Sequence, residues 1–263
     1  MEPIVVLENV SVNYNSPEME TKALENISFS VEEGEFVSVV GPSGCGKSTL
    51  LSVISGLLKP SSGTVKINSN NILGYMLQKD YLFEWRTIEN NIYLGLEIQN
   101  KLTKENKEYA NLLLEKYGLI DFKNKYPSDL SGGMRQRAAL IRTLATKPEV
   151  LLLDEAFSAL DYQTRLYISN EIKNIIKKEK KTAILVTHDI SEAVSISDRV
   201  IVLSKRPAKV KSIHVIDLET NGETATDARQ SPKFKDYFNE IWKELDIHVW
   251  GVFKRTTFIY EKA

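Results

Sequence analysis

Residues 36–58 read FVSVVGPSGCGKSTLLSVISGLL. The first six form a short, nearly continuous apolar run ending in glycine, the pattern of a strand buried on both faces. A helical pattern follows from Lys47 to Leu58 and stops at KPSSG. Between them, 41–49 fits G-x-x-x-x-G-K-[ST], and the flanking strand and helix are the context that gives this spacing its meaning. The loop of Gly41, Pro42, Ser43, Gly44, Cys45 and Gly46 is expected to curl so that its N–H groups face phosphate oxygens. The helix N-terminus adds partial positive charge there. Lys47 is expected to reach the β- and γ-phosphates of a nucleotide and Ser48 to ligate Mg²⁺.

Working outward, the N-terminal stretches IVVLENVSVNY and ALENISFSVEEGE alternate as half-buried strands, and TVKIN (64–68) reads as another short strand. From Thr87 to about Lys147 the pattern is helical, with a stripe at Tyr109, Leu112, Leu113 and Tyr117 that reads as core packing. Strands and helices then alternate: VLLLDE (150–155), YISNEIKNIIKK, TAILVTHD (182–189), ISEAVSI and RVIVLS (199–204). Asp189 and Glu192 suggest a capping box. This rhythm predicts a mostly parallel sheet with helices on both faces and a helical block inserted between its halves.

Chemistry is expected at the strand ends, where open α/β sheets bind ligands. Asp154 ends a buried strand and can hold Mg²⁺ through water. Glu155 follows and can orient or deprotonate an attacking water. His188 ends the next strand and is placed to meet the γ-phosphate or that water. Farther on, Ser131, Gly132 and Gly133 open a second helix, in LSGGMRQR, and make a second anion-suited helix start. Arg135 and Gln136, in the first turn of that helix, read as helix-surface packing.

Composition narrows the classes. The chain has 263 residues, 42% of them hydrophobic, and a net charge of −1. That supports a full core and gives no electrostatic case for nucleic acid as a partner. One cysteine excludes an intrachain disulfide and a cysteine-rich zinc site, which fits a reducing cytosol. The N-terminus does not read as a signal peptide. No apolar run approaches the roughly 20 residues that cross a bilayer, so work at a membrane would go through a partner.

Taken together and in order, Gly41 to Thr49, Gln78, LSGGMRQR, VLLLDE, SALD and His188 resemble the ATP-binding subunit of ABC transporters over roughly residues 4–205. The resemblance implies an α/β fold. Its core would be a RecA-like P-loop NTPase unit with a parallel sheet, joined by an N-terminal antiparallel β-subdomain and an inserted helical subdomain. One domain would fill 1–263: β-subdomain and core about 1–85 and 148–215, helical subdomain about 86–147, C-terminal extension about 216–263. The resemblance also implies two copies paired head to tail, with Ser131, Gly132 and Gly133 of one capping the ATP held by the loop of the other. Tyr14 would stack on adenine and Thr49 would bond the α-phosphate. Gln78 would contact Mg²⁺ or water and report to membrane permease subunits through the groove near Trp85. Asp161 would cross the dimer interface.

Within the family the chain most resembles importers of the nitrate, sulfonate and taurine group, with Glu84 and Ala156 departing at positions where proline is common. That likeness implies a bacterial protein peripheral to the cytoplasmic face of the membrane, served indirectly by an extracytoplasmic solute-binding protein. A non-transport ATPase of the DNA-repair or translation-factor type is the alternative. Such proteins usually need a long coiled-coil insert, zinc cysteines or two fused ATPase units, and the sequence reads as having none of them. The tail from about 206 is expected to pack on the core, with NGETATDARQSPK (221–233) as a loop. Cys45 reads first as a small apolar residue. Its place at a helix start also raises a reactive reading, in which alkylation would block ATP binding and bound ATP would protect the thiol.

Overall fold

The computed structural model describes residues 3–15, 20–68, 73–179, 181–219 and 224–245. The alternating N-terminal stretches form β1 (Val5–Asn15) and β2 (Glu20–Val31), paired antiparallel. Val5, Leu7, Val10 and Val12 of β1 face inward. After β3 (Phe36–Val40) and α1 (Lys47–Ile54), the chain returns as β4 (Ser62–Ile67) on the other edge of β1, giving the order β2-β1-β4. The inner face of this small sheet packs on Leu50 and Leu51 of α1 and on Val37 and Val39 of β3 in one apolar core. Helix α1 ends four residues earlier than its apolar pattern suggests, because Gly56 turns the chain at φ +76°.

β5 (Leu73–Met76) begins the main sheet, then α2 (Ile88–Ile98), α3 (Lys104–Lys116) and α4 (Gly132–Ala145) precede β6 (Val150–Asp154). Thr87, Thr103 and Ser131 cap these three helices, each hydroxyl accepting from the backbone N–H three residues on. The buried face of α3 is Ala110, Leu113 and Leu114, continued by Tyr117. Leu112, expected in that stripe, is 58% exposed. The i, i+3, i+4, i+7 row starts one residue later than the sequence suggested.

The chain continues through α5 (Tyr162–Glu179), β7 (Thr182–Thr187), α6 (Ile190–Ile196), β8 (Arg199–Leu203) and β9 (Val210–Val215). The large sheet runs β5-β6-β7-β3-β8-β9, all parallel except β9. Every residue of β3, β6 and β7 is buried, as continuous apolar runs covered on both faces should be. Their register brings Val40 opposite Thr187 and Asp154 opposite Val186. Gly41, Glu155 and His188 therefore leave the sheet along one edge.

At α6, Asp189 accepts from the Glu192 N–H, but the expected box is only half made. The Asp189 N–H donates to the Thr187 hydroxyl instead, and the Glu192 side chain is buried against Thr187.

The tail also differs from expectation. Thr224 and Asp227 form a reciprocal cap, so 225–230 is a helix, α7 (Ala225–Gln230), with Ala225 and Ala228 buried. α8 (Pro232–Glu244) then lays Ile241 on a core shared with Ile190, Val194 and Val202. Of the expected loop, 221–223 lie outside the described residues, as does the extension from 246 onward.

Candidate active site

The loop between β3 and α1 can close because of where its glycines stand. Gly46 has φ +126°, and a Cβ there would lie 2.9 Å from Leu24 Cδ2 and 3.1 Å from the Ala23 carbonyl oxygen. The loop therefore nests against β2. Lys47 is 7% exposed and its ammonium donates to the carbonyls of Gly41 (2.9 Å) and Pro42 (3.1 Å). A cavity of about 250 Å³ opens here, lined by Ser43, Gly44, Gly46, Lys47, Ser48, Thr49, Gln78, Glu155 and Arg206. A larger one, about 360 Å³, lies between Tyr117, Arg137 and Tyr167, away from the loop and the carboxylates.

Ser48 donates to Asp154 Oδ1 at 3.1 Å. Asp154 is 3% exposed, and burial pushes its carboxyl pKa up while the Ser48 bond pulls against that shift. A hydroxyl and a carboxylate side by side, with the Gln78 amide on the same cavity, are the hard oxygen donors that suit Mg²⁺.

Glu155 stands just past β6 at φ +47°, a left-handed conformation uncommon for a residue with a side chain. Its N–H donates to the Val186 carbonyl at 2.9 Å, which extends the β6–β7 ladder by one bond. One carboxylate oxygen accepts from Gln78 Nε2 at 3.1 Å, and the other lies 3.3 Å from His188 Nδ1. Gln78 and His188, read separately from the sequence, thus both meet the Glu155 carboxylate.

Tyr14 is 45% exposed, with its hydroxyl 3.2 Å from Thr49 Oγ1, so its ring borders the start of α1. Ser131, Gly132 and Gly133 do not line the 250 Å³ cavity, and neither does Asp161. Ser131 and Gly132 are exposed. Asp161 is fully exposed, and hydrogen bonds from Thr164 hold its carboxyl below the usual range. Within one chain the two glycine-rich helix starts are separate surfaces.

The reactive reading of Cys45 does not hold. The thiol is 1% exposed, and burial raises its pKa despite the nearby Lys47 charge. Desolvation outweighs the helix start, and Cys45 packs as a small apolar residue. Gln136 is likewise no surface residue. It is 5% exposed, donates to the Glu155 carbonyl at 3.4 Å and accepts from the Ala159 N–H at 3.0 Å. Arg206, not singled out by any motif, donates to the Gly44 carbonyl at 2.7 Å. Nor was Asn91, which is fully buried and bonds the Phe83 N–H and the carbonyls of Phe83, Arg86 and Thr87. Its signal was present: a polar residue on the apolar face of α2, between Ile88 and Ile92.

These features match known proteins. The family model described as "ABC transporter" matches residues 24–158. An uncharacterized ABC transporter ATP-binding protein of Bacillus subtilis is 50% identical over 246 residues, 91% of this chain and 95% of that protein. The nitrate import ATP-binding protein of Synechocystis is 40% identical over 229 residues, 83% of this chain and 86% of that protein. Among solved structures, the dimeric post-hydrolysis ATP-binding cassette MJ0796, bound to ADP and Pi, aligns with a TM-score of 0.74 at 32% identity. That alignment covers 81% of this chain and 99% of that one. With its phosphate loop, its strand-end carboxylates and its separate second helix start, the chain belongs to the ABC transporter family as an ATP-binding subunit and is an ATPase.

Proposed function

We propose that two copies of the chain close head to tail around two ATP molecules and so drive import of a small solute, of the nitrate, sulfonate, taurine or vitamin-precursor kind, through membrane permease subunits. In this reading Tyr14 stacks on the adenine, with modest selectivity because stacking suits any flat ring. The loop from Gly41 to Gly46 and Thr49 hold the phosphates, and Lys47 turns from its loop carbonyls to the β- and γ-phosphates. A Mg²⁺ ion held by Ser48, Asp154 and Gln78 would neutralise phosphate charge when bound. Glu155 takes the proton of the attacking water, and His188 orients carboxylate and water. Ser131, Gly132 and Gly133 of the second copy complete the γ-phosphate cage, and Asp161 lies at the seam between copies.

The observation that carries this reading is the contact of Gln78 and His188 with Glu155 beside the loop, with the Ser131 helix start outside that cavity. A single chain then has half of each of two sites. The likeness to nitrate, sulfonate and taurine importers supports the solute class. It also supports an extracytoplasmic solute-binding protein upstream and a place on the cytoplasmic face of a bacterial membrane. Among the described residues no helix is long and apolar enough to cross a bilayer, so membrane work falls to a partner. Trp85, 75% exposed and packed on Phe83 at 4.8 Å between ring centres, offers that partner an aromatic surface. The division into β-subdomain with core, helical insert 86–147 and C-terminal extension is proposed on the same grounds.

The test is a pull-down of tagged protein from detergent-solubilised native membranes. A multi-span membrane protein in about equal amount is expected. Recovery of soluble chains or nucleic acid alone would replace transport with a non-transport role.

A further inference from the structure

The first turn of α4 lies against the turn that follows Glu155. A Cβ on Gly133 would be 3.4 Å from the Ala159 carbonyl oxygen. One residue row along, Gln136 spans that turn, holding the Glu155 carbonyl and the Ala159 N–H with the two ends of one amide. The same helix also grips the segment just after Gln78. Arg135 Nε lies 3.2 Å from Asp80 Oδ2, and Arg142 donates to the carbonyls of Asp80 (2.6 Å) and Tyr81 (2.8 Å). The Gln78–Glu155 bond joins the two segments. The contacts close into a ring: α4, Asp80, Gln78, Glu155 and back to α4 through Gln136.

We infer that Gln136 is a positioning residue for hydrolysis, fixing the backbone from which the Glu155 carboxylate projects. This rests on the reading of Glu155 as the base. The need for such a brace follows from the backbone. Glu155 sits in the left-handed region, where a side-chain-bearing residue stays only if its surroundings hold it. The Glu155 N–H is fixed by Val186, and its carbonyl is shared by Ser158 N–H and Gln136. Leucine fills nearly the same volume as glutamine but can neither donate nor accept. In Gln136→Leu the Ala159 N–H loses its side-chain acceptor, and the turn is free to shift relative to α4. A carboxylate displaced by about 1 Å from its productive place can cost on the order of 100-fold in rate. Gln136 does not line the nucleotide cavity, and its hydrogen bonds go to the Glu155 carbonyl and the Ala159 N–H.

The experiment measures steady-state ATP hydrolysis, ATP affinity and thermal midpoint for wild type, Gln136→Leu, Gln136→Met, Glu155→Gln and Gln136→Leu/Glu155→Gln. The expected result is a fall in kcat of about 10- to 100-fold in both Gln136 variants, with KM and ATP Kd within about twofold of wild type. In the double variant no further loss is expected beyond Glu155→Gln alone, because the group being positioned is already gone. A kcat within twofold of wild type in a folded Gln136 variant would overturn the inference. So would a loss that persists at full size in the Glu155→Gln background, or one matched by weaker ATP binding. Near-normal hydrolysis by Glu155→Gln alone would instead overturn the assignment of the base.

Discussion

His188 Nδ1 lies 3.3 Å from one carboxylate oxygen of Glu155, while Gln78 donates to the other. The three residues come from different parts of the chain. What brings two of them together is strand register, since β6 and β7 run parallel with Asp154 opposite Val186. His188 is 63% exposed at its side chain and so is open to a ligand or a second chain. His188→Ala should lower kcat about 100-fold, within the range of a general acid–base or orienting contact, with KM changed only a few-fold. Phosphate release at saturating Mg-ATP measures it, and an unchanged kcat would remove His188 from the mechanism.

Glu192 gives stability a pH dependence. Burial, aided by the Asp189 charge and opposed by its bond to Thr187, pushes its carboxyl up to about 7. Between the ordinary glutamate value and about 7 the folded chain holds a proton that the unfolded chain has lost. Stability therefore falls as pH rises through that window and levels off above it. The contribution is on the order of 3 kcal/mol. Glu192→Gln, which carries no charge to bury, should melt higher than wild type at pH 8 and close to it at pH 5. Equal midpoints at both values would show that Glu192 is not strained by ionisation.

Cys45 should resist alkylation. The thiol is buried and its pKa raised, so both access and thiolate fraction are low. Iodoacetamide at pH 7.5 should label the native protein slowly and to the same small extent with or without Mg-ATP, and fully in denaturant. Rapid native labelling that ATP suppresses would restore the reactive thiol.

Asn91 ties the segment carrying Trp85 to α2. Its amide nitrogen lies 3.0 Å from three carbonyls, which share its two N–H hydrogens, and its oxygen accepts from the Phe83 N–H at 2.7 Å. Asn91→Leu leaves those backbone groups short of partners at a buried site, a cost of about 1–3 kcal/mol or somewhat more. The variant should melt lower and recover less permease in a pull-down, while the isolated chain keeps most of its ATP hydrolysis. Unchanged stability would mean the segment finds other partners.

Much of this was legible in the sequence because the signals are local. The run 36–49 carries its strand, its turn glycines and its helix start within fourteen consecutive residues. VLLLDE and TAILVTHD likewise place Asp154, Glu155 and His188 at strand ends. What stayed hidden depends on distance in the chain. Gln136 meets Ala159 across 23 residues, and Arg206 meets Gly44 across 162. No spacing rule connects such pairs, and a glutamine on a helix looks the same whether it faces water or a buried turn. The helix α7 is a different failure. Thr224 and Asp227 mark a reciprocal cap, but the surrounding Asn, Gly, Ser and Pro read more strongly as a loop.

The proposed head-to-tail pairing leaves one chain with half of each of two ATP sites. Glu155→Gln should bind ATP, lose turnover by orders of magnitude and accumulate as a dimer. The measurement is its mass in solution with Mg-ATP, by light scattering after size exclusion, beside the same variant with Ser131→Arg added. A dimer in the first and a monomer in the second are expected, because a bulky cation at the start of α4 blocks the second copy's nucleotide from that surface. A monomer in both, with ATP bound, or hydrolysis near the wild-type rate in Glu155→Gln, would contradict the account.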